Sequence, residues 1–461
     1  MNNISTYLFS LNKEFYLYDF NMKIIMQINQ QLYNDLLKYI KKGKINSDNY
    51  IIHKLLKNGF LRENKIETQM NEINIAYLSF APTYQCNFRC KYCFGEYGNK
   101  YNGILRGFTE SSLKNILDYF FFVAYPSYER YRLDFVSGGE PLLGFNIIKA
   151  TIQYIEENII PKGKKVSMWL CTNGALLTNE IIEFLSEHNV SIGISIDGTK
   201  EMNDMYRIDA FGNGTYDQIC KGISLVHNNK NATLKFKNLW GLCTATEENC
   251  DFVSILQHMK LLKFNNVQIR LIRSEKKYNI SKILSEYDKL ADFLLNSYFS
   301  NQLQFLYMIL NDNDQFGKVL KRIILDQILF NRCNAGINKI TICPDGSIYP
   351  CDSFVGIKQF QIGTVSNTNN IKNIYKNMNV NTIKKCSKCS INYLCGGDCY
   401  YNSFMKTGVQ TIPDEEFCKI QKHIIELCLM IRYKMETSDS ERFKQLRKFV
   451  GGKDDYTKIF G

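Results

Sequence analysis

Three cysteines lie close together in the segment Cys86-Asn87-Phe88-Arg89-Cys90-Lys91-Tyr92-Cys93, with the spacing Cys-x3-Cys-x2-Cys. Four cysteine thiolates normally hold a [4Fe–4S] cluster. Three thiolates therefore leave one iron of such a cluster without a protein ligand, and that iron can accept a ligand from outside the chain. A zinc site on the same cysteines is the alternative, and the residues that follow in the sequence argue against it.

Polar motifs follow the predicted strands of the next part of the chain. In barrel enzymes, ligand-binding residues collect at the carboxyl ends of parallel strands. Glycine lets a backbone approach a ligand closely, so a Gly-Gly-Glu motif is informative at such a position. The strands and motifs are Ile73–Pro82 before the cysteine loop, Arg132–Val136 before Ser137-Gly138-Gly139-Glu140-Pro141, Val166–Leu170 before Thr172 and Asn173, and Val190–Ile194 before Ser195 and Asp197.

The cysteine spacing and the order of these motifs resemble the radical S-adenosylmethionine (SAM) superfamily. By that resemblance, the amino and carboxylate groups of SAM chelate the open iron, and reduction releases a 5′-deoxyadenosyl radical. The family's Gly-Gly-Glu motif grips the SAM ammonium group, and an arginine lies on its carboxylate. The resemblance implies SAM contacts for Tyr92, Gly138, Gly139, Glu140, Thr172, Asn173, Ser195, Asp197 and Arg207, and a first cluster on Cys86, Cys90 and Cys93.

Seven further cysteines in the last third of the chain resemble the SPASM extension of peptide- and protein-modifying radical SAM enzymes. The resemblance implies two auxiliary [4Fe–4S] clusters, and three clusters in all. Only three ligands are evident for the inner one, so either an open iron binds a substrate thiolate or Cys343 is the fourth ligand. A zinc-ribbon-like fold is the alternative. The implied ligands are Cys333, Cys351 and Cys399 for the inner cluster, and Cys386, Cys389, Cys395 and Cys418 for the outer cluster.

The first 70 residues predict a unit of their own, with three short strands, two helices and a return into a wing at Gly59-Phe60-Leu61. This winged-helix-like pattern resembles the precursor-peptide recognition domain of peptide-modifying enzymes, in which a leader peptide adds as a strand to the sheet edge. DNA binding is an alternative function for this unit, but the unit lacks a basic recognition helix. A purely structural cap is a second alternative. The predicted elements are Thr6–Ser10, Phe15–Tyr18, Lys23–Met26, Gln30–Lys42 and Asp48–Asn58.

The middle of the chain alternates strands with helices, which predicts parallel strands joined by right-handed crossovers. The family's partial (β/α)6 barrel fits this α/β pattern. In the tail, Ser440–Phe449 has the pattern of an amphipathic helix that docks on the barrel. The expected parts are residues 1–70 for peptide recognition, 71–279 for the radical SAM barrel, 280–332 for a helical connector, 333–430 for the SPASM domain and 431–461 for the tail.

The chain has 461 residues, a formal net charge of +12 and 16 cysteines. Its lysines are scattered and form no arginine-rich stripe, so we expect no nucleic-acid partner; an acidic peptide would exploit the same charge. The polar segment Met1–Thr6 is not typical of a signal peptide, so we expect none, and no apolar stretch approaches the roughly 20 residues of a membrane span. We therefore expect a cytoplasmic protein without a membrane partner. Six cysteines remain outside the clusters, mostly as buried small hydrophobes: Cys171, Cys220, Cys243, Cys250, Cys343 and Cys428.

The segment from Cys351 through Cys399, Cys418 and Cys428 looks most like maturases of cysteine-rich ribosomal peptides. That resemblance implies an oxidoreductase that joins a cysteine sulfur to a carbon in a thioether, with a precursor peptide and a flavodoxin- or ferredoxin-type electron donor as partners. No catalytic side chain is assigned beyond the cluster. Three alternatives stay open: a peptide maturase that forms carbon–carbon or carbon–oxygen crosslinks or epimerises, a formylglycine-generating sulfatase maturase, and a non-enzymatic iron–sulfur electron carrier.

Overall fold

A computed structural model of the protein describes residues 4–42, 50–66, 75–96, 101, 107–136, 138–231, 239–273, 278–367 and 373–452. Some predicted features lie outside these residues. They are Ser137, the first residues of the strand expected from Ile73, the start of the helix expected from Asp48, the boundary between residues 70 and 71, and the end of the tail.

A small antiparallel sheet opens the chain, with β1 (Thr6–Leu11), β2 (Glu14–Asp19) and β3 (Ile24–Ile28) in that order. Two helices follow, Gln30–Lys42 and Tyr50–Lys57. Their apolar faces and one face of the sheet form a separate small core, which contains Leu17, Leu36, Ile52, Phe60 and Leu61. Among the described residues, the expected wing is reduced to a turn and one isolated bridge between Ile4 and Glu63.

The described residues form one large sheet in the order β12-β11-β10-β4-β5-β6-β7-β8-β9. Strands β4 to β9 are parallel and stand in sequence order, which confirms the predicted parallel sheet. Most of their apolar side chains are buried, as expected for a sheet covered by helices; Leu78, Leu133 and Ile192 are examples. The strands are β4 Ile75–Phe80, β5 Arg130–Phe135, β6 Lys165–Thr172, β7 Val190–Ser195, β8 Trp240–Ala245 and β9 Asn266–Leu271.

Helices connect these strands, and several begin at a side chain that caps the first turn. Thr109, Thr178 and Thr199 each accept a hydrogen bond from a backbone N–H of that turn, which satisfies a donor that has no partner inside the helix. The short polar helix Lys200–Tyr206 was not predicted. The helices are Glu110–Asp118, continued by a wider turn at Tyr119–Ala124, then Phe145–Tyr154, Asn179–Glu187, Lys200–Tyr206, Tyr216–Asn228 and Phe252–Leu261.

The last third of the chain joins the same sheet. Three connector helices, Ile280–Phe299, Gln304–Ile309 and Gly317–Ile324, lead to β10 (Lys339–Ile342), β11 (Ser347–Tyr349) and β12 (Gly363–Thr364). Strand β10 pairs in parallel with β4, and the Asn338 side chain donates a hydrogen bond of 2.9 Å to the carbonyl of Ile75. The sheet therefore continues across the expected boundary between residues 332 and 333.

A long helix, Glu415–Ser438, passes through the expected boundary at residue 430. It packs against the connector helices and also reaches the N-terminal sheet, where the Tyr7 hydroxyl donates a hydrogen bond of 2.5 Å to Glu426. Within the described residues, no helix combines the length and the apolar character needed to cross a membrane. The other helices of this region are Asn392–Cys395, Tyr400–Thr407 and Ser440–Gly452.

Candidate active site

The loop with the first three cysteines lies directly after β4 and is held by backbone hydrogen bonds from two sides. Arg89 N–H donates to the carbonyl of Ile208 at 2.7 Å, and Lys91 N–H donates to that of Tyr206 at 2.9 Å. On the other side, Glu140 N–H donates to the carbonyl of Gln85 at 2.8 Å. The loop is therefore fixed between the segment after Lys200–Tyr206 and the end of β5.

The thiols of Cys86, Cys90 and Cys93 are partly accessible. Burial raises the pKa of Cys86 to about 11, and the thiolates of Cys90 and Cys93 add to that rise. Burial also raises the pKa of Cys90, which Arg207 opposes. Three thiolates this close repel one another unless a metal neutralises them, and a bound metal deprotonates its thiol ligands. The donor set therefore fits an iron–sulfur cluster.

The two glycines of the Gly-Gly-Glu motif make room for the cysteine loop. A Cβ on Gly138, whose φ is +118°, would lie 2.5 Å from the ring of Tyr84, and a Cβ on Gly139 would lie 2.0 Å from the carbonyl oxygen of Gln85. Real side chains do not tolerate either distance. The sequence predicted that these glycines leave room for a ligand. At their Cα atoms that room is instead occupied by Tyr84 and by the backbone of Gln85.

The carboxylate of Glu140 is buried and joins the ends of β5 and β6. It accepts hydrogen bonds from the Thr172 hydroxyl at 2.6 Å, from Asn173 N–H at 2.7 Å and from Leu142 N–H at 3.1 Å. Burial raises its pKa to about 7, although these donors favour the ionised form. The Asn173 side chain in turn donates to Oδ1 of Asn87 at 2.8 Å. The motif residues and the cysteine loop therefore form one hydrogen-bonded unit.

A second buried unit contains Asp197, Arg207 and Tyr92. The guanidinium group of Arg207 lies 3.0 and 3.1 Å from the two carboxylate oxygens of Asp197. The Tyr92 hydroxyl donates to the same carboxylate, and its ring lies 5.5 Å from the guanidinium carbon. Burial by itself would lower the pKa of Arg207, but Asp197 and its other neighbours hold it well above its ordinary value. The arginine expected on the SAM carboxylate is thus already charged and held in place.

Ser195 lies at the end of β7, and its Oγ is 3.9 Å from Sγ of Cys171 on β6. Desolvation of the partly buried Cys171 thiol raises its pKa to about 11, and the carboxylates of Glu140 and Asp134 act in the same direction. Asp134 lines the cavity described next. Cys171 therefore lies between the residues expected to contact SAM and that cavity.

A cavity of about 1000 Å³ opens between the strands and the last third of the chain. The inner thiols Cys333, Cys351 and Cys399 line it. Two cations, Arg273 and Lys339, face these thiols: the Cys399 thiolate is the largest influence that raises the pKa of Arg273 above its ordinary value, and Arg273 also donates to the Ser353 hydroxyl at 3.0 Å. The three inner cysteines are thus brought together beside positive charge.

The four outer cysteines are also grouped. Burial raises the pKa of Cys386 and of Cys418 to about 12, and Cys395 acts on both thiols; Cys389 acts on Cys386 and Cys395. In the part of the chain that the structure describes, no three Cys, His, Asp or Glu side chains converge closely enough to hold a single metal ion.

Cys343 occupies a different place. It is fully buried in the β10–β11 hairpin, where burial raises its pKa to about 12 and its thiol contacts Ser347 and Tyr84. It does not belong to the lining of the cavity that holds Cys333, Cys351 and Cys399.

Sequence reasoning missed Asn87, which lies inside the cysteine motif, and the two cations beside the inner thiols. Arg273 follows the end of β9, and that position was the only signal for it. Lys339 opens β10 opposite Tyr77 of β4, a pairing that no local pattern indicates.

The chain is similar to known radical SAM proteins. Residues 80–254 match the family model described as the Radical SAM superfamily. The cysteine-type anaerobic sulfatase-maturating enzyme of Clostridium novyi (strain NT) is 26% identical over 361 residues, which are 74% of this chain and 91% of that protein. The radical SAM cyclopropyl synthase TigE of Paramaledivibacter caminithermalis is 21% identical over 446 residues, 87% of this chain and 89% of that protein.

Among solved structures, native anSMEcpe with bound AdoMet superposes with a TM-score of 0.64 at 21% identity, over 78% of this chain and 99% of that chain. At this identity the likeness shows a shared fold. The family match, the sequence relatives and the shared fold agree with one another: the chain is similar to radical SAM enzymes, among them the anaerobic sulfatase-maturating enzymes.

Proposed function

We propose that this enzyme forms thioether crosslinks, from a cysteine sulfur to a carbon of another residue, in a ribosomally synthesised peptide. The observation that carries the proposal is the inner thiol site. Cys333, Cys351 and Cys399 line a cavity of about 1000 Å³, whereas Cys343 does not. Three protein donors beside a space of this size suit a site that receives a substrate thiol.

The cysteines divide into three donor sets for three [4Fe–4S] clusters. Cys86, Cys90 and Cys93 form the first set, and the inner and outer thiols form the other two. When bound, the first cluster and SAM would supply a 5′-deoxyadenosyl radical able to abstract hydrogen from an unactivated carbon. The protein's own contribution is to orient the reactants and to exclude water.

The residues around the first cysteine loop and around the inner thiols are arranged to orient the reactants. The units Glu140–Thr172 and Asp197–Arg207 hold the cysteine loop in one arrangement. Arg273 and Lys339 bring positive charge to the inner thiols, and neighbouring cations favour the thiolate form of a cysteine. A substrate cysteine entering there would lose its proton readily, so no separate general base is required.

The N-terminal sheet supports a peptide substrate. In the described part of the chain, β3 pairs with β2 on one edge and no strand pairs with its other edge. An extended leader peptide can add to such an edge through main-chain hydrogen bonds. A flavodoxin- or ferredoxin-type protein is the electron donor that we propose.

A second candidate function is sulfatase maturation, in which a cysteine becomes formylglycine. The relative of Clostridium novyi, a cysteine-type anaerobic sulfatase-maturating enzyme, favours it because the match extends over 91% of that protein. One relative is a radical SAM cyclopropyl synthase, so formation of a carbon–carbon bond in the peptide is a further alternative for this enzyme.

The test is anaerobic incubation of the reconstituted enzyme with SAM, a reductant and the small cysteine-rich peptide encoded beside its gene, followed by mass spectrometry with thiol alkylation. Thioether formation removes one hydrogen from sulfur and one from carbon, so each event should lose two hydrogens and one alkylatable thiol after disulfide reduction. Loss of two hydrogens with every thiol retained would indicate carbon–carbon or carbon–oxygen crosslinking.

Two controls complete the test. The variant Cys86→Ala should form no deoxyadenosine, whereas Cys220→Ala, which removes a half-buried cysteine outside the three sets, should behave as the unmodified enzyme. An unchanged precursor together with an aldehyde on a sulfatase peptide would replace the thioether proposal by sulfatase maturation.

A further inference from the structure

The cavity beside the inner thiols carries more positive than negative side chains. Eight Lys and Arg side chains and four Asp side chains line it. Each of the four carboxylates already has a polar or cationic neighbour. Asp134 pairs with Arg132 at 2.6 Å, Asp312 with Lys321 at 2.8 Å, and Asp352 lies 4.0 Å from Lys339. Asp398 accepts hydrogen bonds from Asn402, Ser403 and backbone N–H groups.

Five of the eight cations form no ion pair with a carboxylate in the described residues, and three of these five act on one another electrostatically. Arg270 donates to the backbone and side-chain oxygens of Asn313, at 2.7 and 3.4 Å. Arg332 donates to the amide oxygen of Gln421 at 3.3 Å and lies over the ring of Phe417. The Lys318 ammonium has neither an ion pair nor a hydrogen bond with any residue that the structure describes. This cation cluster, Lys318, Arg270 and Arg332, therefore lies on the cavity wall without an ion pair in the described residues, although Asp314 acts on Arg270 and Asp398 on Arg332 at longer range.

The cluster is internally repulsive. Burial lowers the pKa of Lys318 well below its ordinary value, and Arg332 and Arg270 lower it further, while Cys333 is the anionic group that acts in the opposite direction. Burial also lowers the pKa of Arg270 to about 10, with Arg273 and Arg332 adding to the effect. Asp314 and the Cys399 thiolate oppose that effect on Arg270. Cations held close together cost stability, and an anionic ligand in the cavity would add to the relief that these anions give.

We propose that the cation cluster binds a carboxylate of the peptide substrate, so that the enzyme selects a peptide with an acidic group close in sequence to its reacting cysteine. The inference rests on the proposed function, because it takes the ligand to be a peptide that enters this cavity. Cys333 acts electrostatically on Lys318, so the bound carboxylate and the inner thiol site are neighbours. A residue or two of extended chain spans such a separation, at about 3.3 Å per residue.

The experiment measures binding separately from turnover. The probes are the fluorescein-labelled amidated peptide Gly-Cys-Glu-Gly, its Gln counterpart, and the Gln peptide with a free terminal carboxylate. Their affinities for the reconstituted, SAM-bound enzyme are compared by anisotropy without reductant. We expect the Glu peptide to bind roughly tenfold more tightly than the amidated Gln peptide, as a charge-assisted hydrogen bond implies, and the preference to shrink as salt is raised. Recovery of affinity by the free terminus would identify a C-terminal carboxylate as an equivalent ligand.

The variant Lys318→Met removes the charge and keeps an apolar stem. Its preference for Glu over Gln should fall to within about threefold, and its melting temperature should stay the same or rise, because an unpaired buried cation is removed. Lys448→Met is the matched control, since Lys448 lines the same cavity from the helix Ser440–Gly452, and it should keep the preference.

Equal affinity of the unmodified enzyme for the Glu and Gln peptides would overturn the inference. So would a Glu preference that survives in Lys318→Met, or a fall in melting temperature that assigns Lys318 a purely structural role. Failure of the proposed function looks different: the Glu preference would be present, but no peptide would change mass under turnover conditions.

Discussion

The hydroxyl of Thr172 donates a hydrogen bond of 2.6 Å to the carboxylate of Glu140. Glu140 follows β5 and Thr172 is the last residue of the neighbouring strand β6, so the contact fixes the spacing of two strand ends beside the cysteine loop. The next residue, Asn173, adds a backbone donor to the same carboxylate and holds Asn87 within the cysteine loop. Glu140 thus acts through its neighbours whether or not it also contacts SAM.

Glu140 should make stability depend on pH. Burial raises its pKa from 4.5 to about 7, so the folded state binds a proton more tightly than the unfolded state. Its stabilising contribution is complete below the unfolded pKa and is lost as pH rises through the folded one, with a slope of at most about 1.4 kcal/mol per pH unit. Glu140→Gln should flatten this part of the profile, measured as denaturant midpoints between about pH 4.5 and 8. The exposed control Glu187→Gln should leave it unchanged, and an unaltered slope in Glu140→Gln would contradict the assignment.

Gly139→Ala should displace the cysteine loop. The added Cβ would lie 2.0 Å from the carbonyl oxygen of Gln85, so the backbone must move and the hydrogen bond from Glu140 to Gln85 is strained. We expect loss of iron from the first cluster and at least a tenfold loss of SAM affinity, measured by iron analysis and calorimetry. Gly107→Ala, where nothing lies within 4 Å of the new Cβ, is the control. A fully loaded Gly139→Ala enzyme with normal SAM affinity would refute this account of the motif.

Asp197→Asn should destabilise the protein strongly. It leaves the buried guanidinium of Arg207 without its carboxylate, and breaking a buried ion pair in this way costs about 3–5 kcal/mol. The exposed pair Lys200–Asp217 is the comparison, since 51% of the lysine and 76% of the aspartate side chain are exposed. Asp217→Asn should cost about 1 kcal/mol or less. Denaturant unfolding of both variants measures the difference, and equal losses would show that burial of Asp197 has no energetic weight.

Cys343→Ala should keep the iron of the inner auxiliary site. The Cys343 thiol contacts Tyr84 and Ser347 within the hairpin and is absent from the lining of the cavity. Cys351→Ala removes one of the three thiols that do line it and should lose roughly one cluster's iron. Iron content and Mössbauer spectra of the two variants give the comparison. Loss of iron in Cys343→Ala equal to that in Cys351→Ala would make Cys343 the fourth ligand.

The alternation of strands and helices was sufficient to predict the parallel sheet. The strands from β4 to β9 are short segments that alternate with helices, and successive crossovers place neighbours in sequence order. The pairing of β10 with β4 was not predictable in the same way. Asn338 and Ile75 are 263 residues apart, and edge pairing over such a separation leaves no local pattern.

The sequence predicted only part of the candidate site, for a similar reason. Motif spacing identified Glu140, Asn173 and Asp197, which lie at strand ends next to the cysteine loop. It did not reveal that the motif glycines pack against Tyr84 and Gln85. Nor did it indicate the cation cluster, because Arg270, Lys318 and Arg332 are scattered charges in the sequence and become neighbours only in the folded chain.

The pairing of β4 with β10 also affects the solubility of truncated forms of the protein. Strand β4 is flanked on one side by β5 and on the other by β10, so its backbone hydrogen-bonding groups are covered on both edges. A protein shortened to end before residue 333 would expose the β10-facing edge of β4 as a flat, apolar template for other chains. Such a fragment should aggregate and precipitate before its activity can be assayed. The last third of the chain therefore also keeps the sheet soluble by covering this edge of β4.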